Sequence, residues 1–297
     1  MQILSKGKAV GPDGISNKIL KEEECLWPFW TGLFNQCLLE SKLPPVWKRA
    51  SLVMIPKSKG HLSDPKAWRG IALKCCPFKV LTSLIAGRIQ WLAEEAQYIP
   101  EQQHGFVRGR STMTAVRELL GTLEGAWMGG GLPVYAMFVD FRAAFDRASR
   151  SAILGIVEEL GAGVNLRGLL WEILQRDEIV IFTEDKELEP LWQTTGVAQG
   201  YCLNPLLFIL LLSEFPRALQ KEVRSVSVIL YADDLVLYGE KRPAVQEAVR
   251  VLEQFCKGKG LYINEEKTVA VKFRGGARIR GQTGFGWGVS KFSWKVR

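Results

Sequence analysis

The chain has 297 residues, of which 47% are hydrophobic, and a net charge of +8 with an isoelectric point of about 9.2. This composition can bury a substantial core, as one large domain or two small ones, and the positive charge favours a polyanionic partner. The longest apolar run, Pro205–Leu212, is far too short to cross a bilayer, so a membrane-spanning protein is excluded.

Hydrophobic periodicity predicts helices that alternate with strands around one sheet. Residues 1–24 indicate a Gly/Lys-rich loop with a short helix, and residues 57–66 a basic loop. Helices are predicted at 25–39, 79–96, 111–127, 154–175 with an interruption near 161–163, 205–219 and 243–256. Strands are predicted at 52–56, 134–139, 179–182, 226–230, 235–238 and 268–273.

The six cysteines and two histidines argue against a zinc site. The chain has no Cys-x-x-Cys pair and no accompanying histidine pattern, which favours reduced thiols in an intracellular protein. The first residues, Met1–Lys6, lack the apolar segment of a signal peptide. We therefore expect an intracellular protein, in the nucleus or cytoplasm, that is not secreted.

The stretch Tyr231-Ala232-Asp233-Asp234 lies between two runs of β-branched, aliphatic and aromatic residues. This pattern predicts a strand, a tight turn and a second strand. Two carboxylates about 4 Å apart repel by roughly 4 kcal/mol at an effective dielectric of about 20. A hard divalent cation would neutralise them, although aspartates are also common in solvated turns.

A further carboxylate, Asp140, follows the predicted buried strand Val134–Val139. If that strand neighbours the hairpin in one sheet, Asp140 converges with Asp233 and Asp234. Three such carboxylates could hold two metal ions that activate a 3′-hydroxyl and stabilise a leaving pyrophosphate. Asp146 is interpreted instead as a residue at the start of a helix.

Eight sequence blocks occur in a fixed order between residues 4 and 273. They are Lys8–Ile15, Pro44–Lys57, Trp68–Leu73, Gln103–Thr112, Asp140–Asp146, Gly196–Pro205, Tyr231–Asp234 and Gly260–Thr268. In this order they resemble the reverse transcriptase domain of a LINE-type (non-LTR) retrotransposon.

The resemblance implies an α+β right-hand polymerase fold, whose palm is an antiparallel sheet with packed helices. It implies fingers in residues 1–130 and a palm in residues 131–273. The resemblance is expected to end after Phe273. Residues 274–297 are basic and glycine-rich, so we expect a flexible tail, with the thumb absent or truncated.

The function that the resemblance implies is RNA-directed DNA polymerisation, in which dNTPs are added to a primer 3′-hydroxyl. The implied cofactors are two Mg²⁺ ions, for which Mn²⁺ is able to substitute. The implied partners are an RNA template, a DNA primer and dNTPs, with no membrane and no zinc. The implied metal ligands are Asp140, Asp233, Asp234 and the backbone of Phe141.

Nucleotide-binding residues are implied in three further blocks. Lys57 and Arg69 would bind the triphosphate, as a point charge and a bidentate fork. Lys59 is an alternative to Lys57, and a solvated surface charge is an alternative for each. Gln199 and Gly200 would lie under the templating pair and sugar, where a glycine lets the backbone approach a ligand.

The resemblance also implies a role for Phe145 in nucleotide binding and for Lys267 in catalysis. The ring of Phe145 would exclude a 2′-hydroxyl, with a core aromatic as the alternative. Lys267 would protonate the leaving pyrophosphate as a general acid, with a solvated loop lysine as the alternative. Template or primer contacts are implied for Arg108, Arg110, Ser111 and Tyr231.

Two departures from the family pattern keep another function open. Asn204 stands where the family usually has serine before proline, and no thumb is recognisable. A decayed or domesticated domain that only binds nucleic acid is therefore an alternative. An RNA-dependent RNA polymerase shares the palm but is disfavoured by Phe145 and by the order of the blocks.

Overall fold

The structure is a computed structural model that describes residues 9–56, 61, 63–64, 67–175, 177–181, 188–193, 195–197, 202–278 and 285–291. Its helices are α1 (Asn17–Glu22), α2 (Trp27–Glu40), α3 (Pro45–Lys48), α4 (Cys76–Glu95), α5 (Thr112–Met128), α6 (Ala144–Arg147), α7 (Arg150–Glu159), α8 (Val164–Leu174), α9 (Leu203–Leu212), α10 (Phe215–Glu222) and α11 (Arg242–Lys259). Its strands are β1 (Arg49–Pro56), β2 (Trp68–Leu73), β3 (Val134–Val139), β4 (Asp177–Val180), β5 (Leu191–Gln193), β6 (Ser227–Tyr231), β7 (Asp234–Gly239), β8 (Val269–Arg278) and β9 (Phe285–Lys291).

The chain divides into two compact units, each made of two separate segments. The first unit is Met1–Ala96 with Arg150–Leu206, and the second is Gln97–Ser149 with Leu207–Arg297. This differs from the contiguous division at residue 130 that the resemblance implied. The physical reason lies in α5, whose Leu123 shares a buried cluster with residues of β3, β6 and β7.

The second unit contains a five-stranded antiparallel sheet in the order β6-β7-β3-β8-β9. Its central strand β3 is buried on both faces, and Ala136 and Met137 are fully inaccessible to solvent. The amphipathic helix α11 buries one side, from Val245 to Cys256, and packs near β7 and β3. Burial of both faces explains why β3 is apolar throughout.

The chain beyond Phe273 differs from the flexible tail that the composition suggested. Strand β8 continues to Arg278, and β9 pairs with it in antiparallel register, with an irregularity between Arg274 and Ala277. An unpaired β8 would leave a row of backbone donors and acceptors at the sheet edge, and β9 satisfies part of that row.

The first unit contains a four-stranded sheet in the order β2-β1-β4-β5. Strand β1 is antiparallel to β2 and parallel to β4, and β4 is antiparallel to β5. Helix α2 packs against α8 in the same unit. The short strand β5 was not predicted, because three residues carry too little periodicity to show a pattern.

Two predicted helices are each divided in the structure. The helix predicted at 205–219 is α9 followed by α10, because Pro216 lacks the backbone N–H that a continuous helix needs. The helix predicted at 154–175 is α7 followed by α8, with Gly161 in the left-handed region at a φ of 81°. None of the described helices combines the length and apolar character needed to cross a membrane.

Candidate active site

The turn between β6 and β7 carries the aspartate pair. Tyr231 pairs with Asp234, so Ala232 and Asp233 form the tip of the hairpin. Ala232 has a φ of 57°, a left-handed conformation that residues other than glycine seldom adopt. Because the strands on both sides are largely buried, the turn holds the two exposed aspartates at a rigid edge of the sheet.

Asp140 follows β3, which lies next to β7 in the sheet. Val139 pairs with Leu235, and this antiparallel register brings the next residue, Asp140, alongside Asp234. The pKa of Asp234 is raised, first by burial and then by the negative charges of Asp233 and Asp140. Although much of Asp234 is accessible, the surrounding chain removes part of its solvent, and the three carboxylates lie within electrostatic reach of one another.

The segment from Tyr262 to Thr268 holds Asp140 in place. The Asn264 side chain donates from Nδ2 to Asp140 Oδ2 at 2.9 Å, and the Asn264 backbone N–H donates to the Asp140 carbonyl at 2.8 Å. The Asp140 backbone N–H donates to Thr268 Oγ1 at 3.3 Å. Sequence reasoning did not assign roles to Asn264 and Thr268, since their side chains meet Asp140 only through the tertiary fold.

Lys267 projects from the same segment toward Asp140. Its Nζ lies 3.9 Å from Asp140 Oδ2, and 72% of the Lys267 side chain is exposed. Phe141 pairs with Ile263 as an isolated bridge and is buried, so the backbone that follows Asp140 is fixed as well. The structure therefore brings the predicted general acid to the predicted metal ligands.

The carboxylate set fits divalent cations by its chemistry. Carboxylate oxygens are the ligands that hard cations such as Mg²⁺ prefer, and a cation would relieve the repulsion that raises the pKa of Asp234. In their present conformations, no three acidic, histidine or cysteine side chains of the described residues are spaced to share one ion. Coordination of one ion by three of these side chains therefore needs rotamers other than the present ones.

Phe145 lies in α6, just after Ala143, which has a φ of 47°. Its half-buried ring stacks on the fully buried ring of Phe208, with 4.6 Å between the ring centroids and 26° between the planes. One side of Phe145 therefore packs against the core, while the residue retains partial access to solvent.

The two predicted template arginines lie in different environments. Arg108 is exposed. Arg110 is half-buried, and its Nη1 donates to the backbone carbonyls of Pro100, Glu101 and Gln103 at 2.8, 3.1 and 2.6 Å. Nη1 of Arg110 thus supplies the donor that three carbonyls of a tight loop need, and the expected phosphate contact of Arg110 stays a prediction.

Ser111 and Tyr231 also have defined positions. Ser111 is the N-cap of α5, and its backbone N–H donates to Thr114 Oγ1 at 2.9 Å. Tyr231 ends β6 and is half-buried beside the aspartate turn. Neither position conflicts with a contact to nucleic acid.

Apart from Phe145, the predicted nucleotide-binding residue with a described backbone is Arg69. Arg69 lies in β2 opposite Ile55 of β1, but its side chain is outside the described residues. The predictions for Lys57, Lys59, Gln199 and Gly200 also fall outside the described residues. Asn204, the departure from the family pattern, is buried in α9.

Comparison with known proteins identifies the family. Residues 55–287 match the family described as reverse transcriptase (RNA-dependent DNA polymerase). The match continues past Phe273, where the resemblance was expected to end.

Two relatives illustrate the similarity. A probable RNA-directed DNA polymerase from transposon BS of Drosophila melanogaster is 27% identical over 272 residues, which cover 88% of this chain and 30% of that protein. A retrovirus-related Pol polyprotein from the type-1 retrotransposable element R1 of Bradysia coprophila is 28% identical over 276 residues, which cover 90% of this chain and 27% of that protein. The chain thus spans only about 30% of the length of these relatives.

Solved structures of telomerases share the fold. Apo telomerase from Candida tropicalis, truncated from its C-terminal domain, has a TM-score of 0.60 and 13% identity, covering 89% of this chain and 60% of that chain. Telomerase from Candida albicans in complex with a fragment of telomeric RNA has a TM-score of 0.58 and 13% identity. The match covers 86% of this chain and 47% of that chain. The mixed architecture with antiparallel sheets therefore agrees with the predicted fingers and palm.

The family match extends over well more than half of the chain, and the two relatives are named as a probable RNA-directed DNA polymerase from a transposon and a Pol polyprotein from a retrotransposable element. Both findings confirm the resemblance inferred from the ordered sequence blocks. The chain belongs to the reverse transcriptase (RNA-dependent DNA polymerase) family.

Proposed function

We propose that this chain catalyses RNA-directed DNA synthesis, adding deoxynucleotides to the 3′-hydroxyl of a primer. The observation that carries the proposal is the register of β3 and β7, which brings Asp140 alongside the Asp233–Asp234 turn. Burial, followed by the charges of Asp233 and Asp140, raises the pKa of Asp234, and a bound cation would offset the repulsion between the carboxylates.

Reverse transcriptases use divalent metal ions. For this chain we propose two Mg²⁺ ions, replaceable by Mn²⁺, held by Asp140, Asp233, Asp234 and the backbone of Phe141. Bound there, the ions would supply an activated 3′-hydroxyl and charge stabilisation on the leaving pyrophosphate. Asn264 orients Asp140 through its 2.9 Å hydrogen bond and so presets one ligand.

Lys267 is the proposed proton donor to the leaving pyrophosphate. Its Nζ lies 3.9 Å from Asp140 Oδ2, and its exposed side chain is free to turn toward a bound triphosphate. A lysine ammonium at this place carries a proton and also attracts the phosphate charge. Arg69 and Lys57, with Lys59 as the alternative to Lys57, are proposed to bind the triphosphate of the incoming nucleotide.

The remaining substrate contacts concern the sugar and the template. Phe145 is proposed to exclude a 2′-hydroxyl, and its stacking on Phe208 supports a fixed ring. Gln199 and Gly200 are proposed to lie under the templating pair. Template or primer contacts are proposed for Arg108, Ser111 and Tyr231.

An RNA template is proposed from the relatives and from the charge of the chain. One relative is named as an RNA-directed DNA polymerase, and one telomerase of the same fold is in complex with telomeric RNA. The net charge of +8 favours any polyanionic template.

Primer extension on poly(rA)/oligo(dT) with Mg²⁺ or Mn²⁺ tests the proposal. The chain should add dTMP, whereas Asp233→Asn should add none because one metal ligand is lost. Asp233→Asn should bind the duplex as tightly as the wild type, which separates loss of catalysis from loss of binding.

Three other results would overturn the proposal. Duplex binding without extension in either metal would favour a domain that only binds nucleic acid. Extension with ribonucleotides in preference to deoxynucleotides would favour an RNA polymerase. Near wild-type extension by Asp233→Asn would remove the proposed metal site.

A further inference from the structure

The loop of residues 100–105, here called the support loop, runs directly beneath the aspartate turn. Its backbone joins the end of β6, since the Leu230 N–H donates to the Gln102 carbonyl at 2.8 Å. The His104 N–H donates in turn to the Leu230 carbonyl at 2.7 Å. Gln103 and Leu230 thus form an isolated parallel bridge, two residues before the tip of the turn.

The side chain of Gln103 reaches the turn itself. Gln103 is fully inaccessible to solvent, and its Oε1 accepts hydrogen bonds from the Gly105 N–H at 2.9 Å and the Ala232 N–H at 3.2 Å. Its Nε2 is buried and has no hydrogen-bond partner among the described residues. Of the two polar atoms of the Gln103 side chain, only Oε1 therefore has a hydrogen bond to the turn among the described residues.

Ala232 needs such support because of its backbone conformation. At a φ of 57° an alanine is strained by its own Cβ, and such residues persist only where the surroundings hold them. Gly105 lets the support loop come close enough, since a Cβ there would lie 2.3 Å from the Ala232 nitrogen and 2.9 Å from the Tyr231 carbonyl carbon. Contact this close to the turn backbone is available only to glycine.

The support loop is itself fixed from two sides. His104 bridges Thr114 Oγ1 at 2.8 Å and Glu118 Oε2 at 3.0 Å, both on α5. The Nη1 of Arg110 donates to three carbonyls of the loop, including that of Gln103 at 2.6 Å. The turn therefore rests on a loop that is rigidly held.

We infer that Gln103 is a positioning residue for the metal-binding aspartates. By accepting from the Ala232 N–H, it holds the left-handed residue that precedes Asp233 and Asp234, and so sets the direction in which both carboxylates point. The role in catalysis rests on the proposed function. Residues that orient metal ligands from behind typically change metal affinity or activity by about 10- to 100-fold when lost.

The decisive variant is Gln103→Met, which keeps the length and burial of the side chain and removes the acceptor oxygen. Gln102→Met is the matched control. In the contacts described, Gln102 binds β6 only through its backbone carbonyl, which accepts from the Leu230 N–H and is kept in the variant. Gln103→Glu keeps an acceptor oxygen at the same place and replaces the unpartnered amide nitrogen with a second carboxyl oxygen, and burial favours the protonated form of this group.

Two measurements distinguish positioning from a general role in folding. Amide hydrogen exchange at Ala232 reports the hydrogen bond directly, and Mn²⁺ titration by electron paramagnetic resonance on the primer–template complex reports ligand geometry. We expect Gln103→Met to lose protection at Ala232 and to weaken Mn²⁺ binding by about 10- to 100-fold. Gln102→Met and Gln103→Glu should keep the protection, and affinity for primer–template should change less than about twofold in all three.

A second variant keeps the inference testable if Gln103→Met is poorly folded. Glycine adopts a positive φ without strain, so Ala232→Gly in the Gln103→Met background should restore part of the Mn²⁺ affinity. Gly105→Ala should displace the turn, whereas Gly121→Ala in α5, where an added Cβ meets nothing within 4 Å, should not.

Unchanged protection at Ala232 in Gln103→Met, or lost protection with wild-type Mn²⁺ affinity, would overturn the inference. If the proposed function were wrong but the positioning role of Gln103 correct, the results would differ from these. In that case the wild type would not extend a primer, although Gln103→Met would still lose protection at Ala232 and the support of the turn would stand.

Discussion

At Asp234, partial burial and two neighbouring carboxylates raise the pKa above 3.8, the value of an ordinary aspartate. The folded protein therefore binds a proton more readily here than the unfolded chain does. Protonation of Asp234 therefore stabilises the folded protein. This contribution to the free energy of unfolding is present in full below pH 3.8 and is lost as the pH rises through the raised pKa of Asp234. At neutral pH the ionised side chain opposes folding unless a cation is bound.

We expect Asp234→Asn to raise the Tm at neutral pH in EDTA while abolishing primer extension, because it removes a repelled carboxylate and a metal ligand together. The gain in Tm should shrink as the pH falls toward 3.8. Differential scanning calorimetry across pH measures it, with the exposed Glu240→Gln as control. A lower Tm for Asp234→Asn at neutral pH would contradict the electrostatic picture.

The ring of Phe145 is proposed to select deoxynucleotides by excluding a 2′-hydroxyl. Phe145→Val should raise incorporation of ribonucleotides relative to deoxynucleotides by about 10- to 200-fold, the range for apolar shape selection of ~1–3 kcal/mol. Phe208→Leu should give a smaller gain, since it only loosens the ring on which Phe145 stacks. Steady-state extension with each nucleotide measures both, and the exposed Phe29→Val in α2 should change nothing. Unaltered selectivity in Phe145→Val would make Phe145 a core aromatic.

At the scale of elements, the short helix α3 depends on a buried lysine. Lys74 is fully inaccessible, and its Nζ donates to the carbonyls of Trp47 and Lys48, both at 2.9 Å. These carbonyls lie in the last turn of α3, where a cation also meets the negative end of the helix.

Lys74→Met should lower the stability of the protein by about 1–3 kcal/mol, because buried acceptors would lose their donor. A urea unfolding curve followed by tryptophan fluorescence measures the change. The exposed Lys42→Met should stay within about 0.5 kcal/mol of the wild type. Equal urea midpoints for Lys74→Met and Lys42→Met would contradict this. They would show that the cost of desolvating the Lys74 ammonium cancels the gain from its hydrogen bonds.

Breaks in secondary structure were partly visible in the sequence. Gly161–Gly163 was predicted to interrupt a helix, and α7 and α8 indeed meet near Gly161. The break between α9 and α10 was missed, although Pro216 stands between Glu214 and Arg217, just after the apolar run that ends at Leu212. Local propensity and burial conflict there, and the missing N–H of proline decides the outcome.

At the scale of the whole molecule, the net charge of +8 should make binding to primer–template strongly dependent on salt. Each neutralised phosphate contributes about 0.7 to 0.9 to the slope of log affinity against log salt. We expect Arg108→Gln to lower this slope by about that amount, because Arg108 is exposed.

Arg110→Gln is the matched comparison and should behave differently. It should lower the Tm and leave the slope unchanged, because its guanidinium serves the support loop. Fluorescence anisotropy over a salt series, together with thermal unfolding, separates the two effects. If Arg108→Gln and Arg110→Gln lowered the salt slope equally, Arg110 would also contact a phosphate of the template or primer.

The sequence by itself determined six of the nine described strands, the aspartate hairpin and the family, because alternation of apolar residues and the order of short blocks are local properties of a chain. Only the tertiary structure decided which segments support the site. Gln103 meets Ala232 across 129 positions, and Asn264 meets Asp140 across 124. No periodicity encodes such pairs, since they arise when the burial of separate elements brings their ends together. The same reason accounts for Arg110, whose charge suggested a phosphate and whose surroundings supplied three carbonyls instead.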